Sequence, residues 1–265
     1  LTLNLETPGD HWTMAGEMNL AGNLLAPFPI DRLHGSHVRI TGDLNINHQV
    51  RIAADATITE HSNVTFAAPT NVLQMMGNTH ITRTVNFIGG GVLDNGFFGD
   101  MTLGDGVELI QAGLTNRGIL RVGDSPGVAT VNRFIQEDTG TWVVELGGYL
   151  EAVEHDVLVV ETGSATLDGR IEVDLLNLGG GVFFPVVGDE FTILRTLGGV
   201  NGTFVNSPVS FAAGHNFHWT VLYEEQFVKL RLDDIEFVIP EPTSIALLLL
   251  ALSAVAVCPN HRRRF

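Results

Sequence analysis

The run VRITGDLNINHQVRIAADATITEHSNV, from Val38 to Val64, decides the fold. Val38-Arg39-Ile40, Leu44-Asn45-Ile46, Val50-Arg51-Ile52, Ala56-Thr57-Ile58 and Ser62-Asn63-Val64 each open a six-residue unit whose third position is Ile or Val. Alternate side chains of an extended strand point to opposite faces, so the outer two residues of a triplet share one face and the middle one takes the other. The middle residues are Arg, Asn and Thr, which turns the apolar face inward. A helix needs a spacing near 3.6, and six does not supply it. Trp12-Thr13-Met14, Met18-Asn19-Leu20 and Leu24-Leu25-Ala26 keep the same spacing until Pro27 and Pro29 reset the phase.

Short strands at this period, separated by turns at Gly42, Asp43, His48, Ala54 and Asp55, predict an all-β chain. Its expected form is a parallel β-solenoid, or β-helix, with about three strands per coil. A β-sandwich or meander is the structural alternative. From Met101 the register loosens. Leu114 to Gly127, with its Ser125-Pro126-Gly127 turn, is followed by Gly140–Leu146, Asp156–Val160, Ala165–Val173, Gly188–Leu194 and Gly202-Thr203-Phe204. This order resembles the passenger-like β-solenoid segments of bacterial surface and autotransporter-type proteins. Trp219–Tyr223 and Phe227–Leu232, joined by Glu224-Glu225-Gln226, read as a hairpin that caps the open end of the solenoid. The expected organisation is a hexad-period solenoid at 1–113, a second β-rich solenoid and cap unit at 114–235, and a separate tail at 236–265.

The tail begins at Pro240-Glu241-Pro242-Thr243-Ser244, continues as an uncharged apolar run from Ile245 to Val257, and ends on Arg262-Arg263-Arg264-Phe265. Pro240 and Pro242 lack an N–H and restrict the residue before them, so no strand or helix runs into the apolar segment. At about 1.5 Å per residue, the run reaches about 20 Å against a hydrocarbon thickness of about 30 Å. Thr243, Ser244, Cys258 and Pro259 therefore extend it, giving a short transmembrane helix over 243–259. The basic cluster Arg262, Arg263 and Arg264 falls on the cytoplasmic side by the positive-inside rule. The order of Pro-Glu-Pro, short apolar helix and terminal arginines resembles the PEP-CTERM sorting signal of Gram-negative bacteria that make exopolysaccharide. That resemblance implies a transient stay in the inner membrane, recognition and cleavage near Pro240–Ser244 by an exosortase, and release to the cell surface or extracellular matrix.

Setting aside the tail's one acid and three arginines, the formal charge of −16 becomes −18 for residues 1–239. So acidic a body disfavours nucleic acid and anionic membrane surfaces. The single cysteine, Cys258, lies in the tail, so no intramolecular disulfide forms and stability rests on packing and hydrogen bonds. The first thirty residues hold no basic region followed by an apolar stretch, and the chain opens on Leu1, so an export signal is expected upstream.

Enzymatic constellations are sparse. Glu151, Glu154, His155 and Asp156 gather three carboxylates and an imidazole that could serve acid/base chemistry or bind a cation, but the reading adopted is a solvated loop before the strand Asp156–Val160. His215 and His218 flank Phe217 beside Trp219 at a spacing that needs a third ligand to hold a metal. Gly89-Gly90-Gly91 and Gly179-Gly180-Gly181 read as turns. No His-Glu-x-x-His, Gly-x-Ser-x-Gly or phosphate-binding loop occurs. The expectation is an exported, non-catalytic structural or adhesin-like protein without cofactor or metal, presenting rows of Asn, Thr, Asp and Arg to exopolysaccharide. A β-helix polysaccharide lyase or glycosidase is one alternative; a surface protein anchored permanently by its tail is another.

Overall fold

A computed structural model describes residues 63–82 and 85–238, together with strand segments between His11 and Thr59. The expected sorting motif at Pro240–Ser244, the apolar run and Arg262–Arg264 lie outside the described residues. Among the described residues every regular element is a β-strand, and no helix is long and apolar enough to cross a membrane.

The strands follow one another around three faces, and up to Asn86–Ile88 each pairs in parallel with the strand three places on, an arrangement consistent with a β-helix. The first face is an eight-stranded sheet made of Glu17–Leu20, His37–Ile40, Asp55–Ile58, Asn78–Ile81, Asp100–Leu103, Ile119–Val122, Thr141–Leu146 and Arg170–Leu175. The second face stacks Leu24–Leu25, Leu44–Ile46, Asn63–Phe66 and Asn86–Ile88. The third stacks Gln49–Ile52, Val72–Met75 and Val92–Asn95. The long strand Val107–Asn116 joins the second and third faces, with a register shift between Leu109 and Gly113 where it rounds the corner. This strand runs through the boundary expected at residue 113, and it pairs with Asn86–Ile88, Val92–Asn95 and Val128–Gln136.

The stacking explains both the success and the limit of the hexad. Val38 pairs with Ala56 and Ile40 with Ile58, so three triplets make one coil here. Met18 and Leu20 pair with Val38 and Ile40, placing the two hexad sets directly on one another. Leu44, however, pairs with Val64 and Ile46 with Phe66. The inward triplet is therefore Val64-Thr65-Phe66, two residues later than Ser62-Asn63-Val64. Ladder hydrogen bonds require only that inward residues stack, whereas corners take any length that closes. The extended read from Ala165 to Val173 likewise bends: Ala165–Leu167 and Arg170–Leu175 belong to different sheets, with a corner at Asp168-Gly169. Gly169 has φ +61, and a Cβ there would lie 2.4 Å from the Glu137 and Gly140 carbonyl oxygens.

Inward residues fill the core in columns. Ile40, Ile58, Ile81, Leu103 and Val122 are almost wholly buried on the first face, and Trp142 packs edge-on against Phe134 at 5.8 Å. At the corner between the third and first faces the column turns polar. Asn95 Nδ2 donates to Asn116 Oδ1 at 2.7 Å, and Asn116 Nδ2 donates to Gln136 Oε1 at 2.9 Å. Each amide also reaches the first strand of the next coil: Asn95 Nδ2 donates to Ile119 O, Asn116 Nδ2 to Thr141 O, and Gln136 Nε2 to Arg170 O. This buried ladder pins the first-face strands at their starts.

At the far end the pairing changes sense. His215–Tyr223 and Phe227–Phe237 form the predicted hairpin, with Trp219 opposite Leu232 and Tyr223 opposite Val228. Its second strand pairs antiparallel with Glu190–Thr196, which itself stacks in parallel on Val157–Val160. The hairpin thus occupies an edge that would otherwise offer free backbone groups.

Replacing Asn116 with Ala strands its ladder partners in the buried corner, and each unsatisfied group costs about 1–3 kcal/mol. Urea unfolding should show a drop of about 2–4 kcal/mol; an unchanged midpoint would show that the ladder does not hold the corner.

Candidate functional site

Outward residues of the first face line a groove of about 630 Å³. Its floor comes from successive coils: Asp55 and Thr57, then Asn78 and His80, then Asp100 and Thr102, then Arg121, and last Glu145. These five strands stand about 4.8 Å apart, so the groove runs about 19 Å along the coil axis. The strand period of two puts these side chains outward because Ala56, Ile58, Thr79, Ile81, Met101, Leu103, Leu120 and Val122 are turned into the core.

One wall is the loop Gly123-Asp124-Ser125-Pro126-Gly127. Gly123 has φ +86, and a Cβ on it would lie 2.2 Å from the Gly127 nitrogen, so the loop closes only with glycine at that position. Ser125 also has a positive φ, of 69, which lifts its side chain over the sheet. Ser125 Oγ donates to Glu145 Oε1 at 3.2 Å, and Asp124 Oδ1 lies 3.1 Å from His80 Nε2. Arg121 Nη1 donates to Asp100 Oδ1 across neighbouring coils. Burial raises the Glu145 carboxyl above the usual carboxylate range; the Ser125 hydrogen bond opposes this, the Asp174 charge adds to it and Arg121 offsets it. The groove therefore offers hydroxyl donors, carboxylate acceptors, an imidazole, a guanidinium and one partly buried carboxyl, Glu145, whose pKa is raised. Such a mixture suits a neutral, hydroxyl-rich chain better than a polyanion.

The cluster read at Glu151, Glu154, His155 and Asp156 does not converge on a site. Glu151 pairs with Arg195, and Glu154 Oε2 accepts from the Tyr149 and Leu150 nitrogens at 2.9 and 3.1 Å. His155 and Asp156 are not solvated, contrary to the loop reading: they are 1 % and 0 % exposed. Nδ1 of His155 lies 3.2 Å from Gly148 O, its ring meets Phe191 edge-on, and burial lowers its pKa against the pull of Gly148 O and the Glu151 charge. Asp156 Oδ1 accepts from Gly127 N at 3.0 Å and Oδ2 from Glu145 N at 2.9 Å. One buried carboxyl thus ties the wall loop to the strand that carries Glu145. His215 rests against Phe184 and Phe237, while His218 Nε2 faces Glu236 at 3.6 Å. Among the described residues no group of three or more His, Cys, Asp or Glu side chains could hold a metal ion.

His80, Asp100, Arg121 and Glu145 carried no shared motif in the sequence, because coils of about 20 residues separate them. The signal that identifies them is positional: they occupy outward positions on successive strands of the first face. No protein-family model matches the chain, and no curated protein matches it.

Burial pushes the Asp156 carboxyl from its ordinary 3.8 up to about 8, with the Glu145 charge adding to the rise and the two backbone donors opposing it. A raised folded-state value means that the unfolded chain releases this proton first. The associated stability is fully present below 3.8 and falls away as pH rises towards about 8. Asp156→Asn should flatten the decline of thermal stability over this window; the same slope in both proteins would assign it to other groups.

Proposed function

We propose that this chain is an exported structural, adhesin-like protein whose β-solenoid body, closed by its C-terminal β cap, holds an extended polysaccharide along the first-face groove. The observation that carries this reading is the continuity of that groove over five coils, lined by donors and acceptors spread along its length, which match a polymer rather than a compact metabolite. Many weak contacts along a rigid row add up to useful affinity. The strongly acidic body selects neutral or amino-sugar chains over polyanionic ones.

The tail supports delivery to the surface. On this reading a short helix at 243–259 holds the protein in the inner membrane, Arg262–Arg264 orient it, and an exosortase cuts near Pro240, Glu241, Pro242, Thr243 and Ser244. Residues 1–113 and 114–235 then serve as two stretches of one stacked body, without catalytic residue, cofactor or metal. Mass spectrometry of the C-terminal peptide from the producing cell's outer fraction should end near Pro240–Ser244. An intact Arg262–Phe265 end in the membrane fraction would make the tail a lasting anchor instead.

One observation favours a second reading. Glu145, held towards its protonated form beside Ser125 and near the Asp124–His80 pair, has the chemistry of a general acid towards a glycosidic oxygen. Incubation with soluble β-glucan, chitosan and alginate separates the two. Retention without new reducing ends fits a scaffold, whereas ends that appear with wild type and vanish with Glu145→Gln fit a glycosidase or lyase.

A further inference from the structure

We propose that Phe97 and Phe98 form a sugar-stacking platform in the turn that leads into the groove floor, taking the apolar face of a neutral glycan whose hydroxyls the groove engages. The inference rests on the polysaccharide reading above and adds a specificity element to it. The two rings are 57 % and 74 % exposed and meet edge to face at 4.8 Å. They stand in the turn Gly96–Gly99, immediately before Asp100, which is part of the groove floor.

The turn is rigid. Gly96 N donates to Met75 O and Gly99 N to Gly96 O, each at 2.7 Å. Asn95, the residue before it, is locked into the buried amide ladder. The neighbouring coil presses directly against its backbone, since a Cβ on Gly118 would lie 2.1 Å from Gly99 O and 2.5 Å from Gly96 O. Exposed aromatic rings held on so fixed a backbone lose little freedom when a ligand settles on them.

The surroundings select the ligand. The following coil's corner carries Arg117, paired with Asp94 and Glu137, and the next carries Thr139, so the apolar surface does not extend towards the following coils. Two rings fall far short of the roughly 800 Å² per partner that a stable protein interface buries. A sugar ring matches the pattern: its C–H face meets the electron-rich face of a phenyl ring, and its hydroxyl rim meets polar neighbours. Ile119, 37 % exposed, stands opposite Asp100 in the same row of the first face.

The test is native gel electrophoresis of the full chain through gels containing hydroxyethylcellulose, a neutral β-linked glucan, with alginate gels as the anionic control. Wild type should be retarded by the glucan alone. Phe97→Ala/Phe98→Ala should bind about tenfold more weakly at an unchanged melting temperature, and Phe97→Tyr/Phe98→Tyr should restore binding. Retardation that survives the alanine pair but is lost in Asp100→Ala/Arg121→Ala overturns the platform and leaves the groove reading standing. Wild type passing unretarded through both polymers overturns both. Sedimentation of wild type as a dimer that the alanine pair dissociates would make the rings a contact between copies and overturn the proposal as well.

Discussion

Everything in this molecule depends on in-register parallel stacking, in which the inward residues of one coil rest on those of the next. Val38 on Ala56, Ala56 under Thr79, Thr79 under Met101, Met101 under Leu120 and Leu120 under Trp142 form one such column. A slip of one residue would turn that column out to solvent and bring Asp100 or Arg121 into the core. The burial of each strand therefore fixes the orientation of its outward side chains. The groove is a consequence of the core: its floor is what the apolar ladder leaves on the other side of the same strands.

The corners convert this one-dimensional order into three faces. Between the third and first faces the polar ladder of Asn95, Asn116 and Gln136 uses side-chain amides where the backbone turns and cannot pair with itself. Amides suit the task because each has donors and an acceptor to pass along the stack, while a second donor contact holds the next strand's carbonyl. Asp156 performs a related task at the other side of the groove, bridging Gly127 and Glu145. Its two-point contact explains why a fully buried carboxyl is present in a coil otherwise packed with Val and Leu.

The switch from parallel to antiparallel pairing at the C-terminal end has a simple cause. A solenoid strand can always accept another coil, so its last strand needs a partner that cannot itself be extended in the same way. Phe227–Phe237 supplies that partner by pairing antiparallel with Glu190–Thr196 on one side and with His215–Tyr223 on the other. Trp219 and Phe217 bury themselves beneath it, and Trp219 Nε1 donates to Ser210 Oγ at 2.9 Å.

The sequence by itself determined the local elements: the triplets Val38-Arg39-Ile40 to Ala56-Thr57-Ile58 showed strands, their inward faces and three strands per coil, and the turn Glu224–Gln226 showed the closing hairpin. Those features depend on neighbours within a few residues, where the period of two and turn chemistry operate. The phase beyond Ile58 was not legible, because a corner's length is set by how the chain closes around the core. Nor was the groove, since His80, Asp100, Arg121 and Glu145 acquire a common surface only when separate coils stack. The fate of His155 and Asp156 was equally hidden: a polar run that reads as solvated becomes buried once Phe191 and the loop at Gly127 pack over it. Only the tertiary structure decided these, because side-chain position across coils is fixed by stacking register and not by distance along the chain.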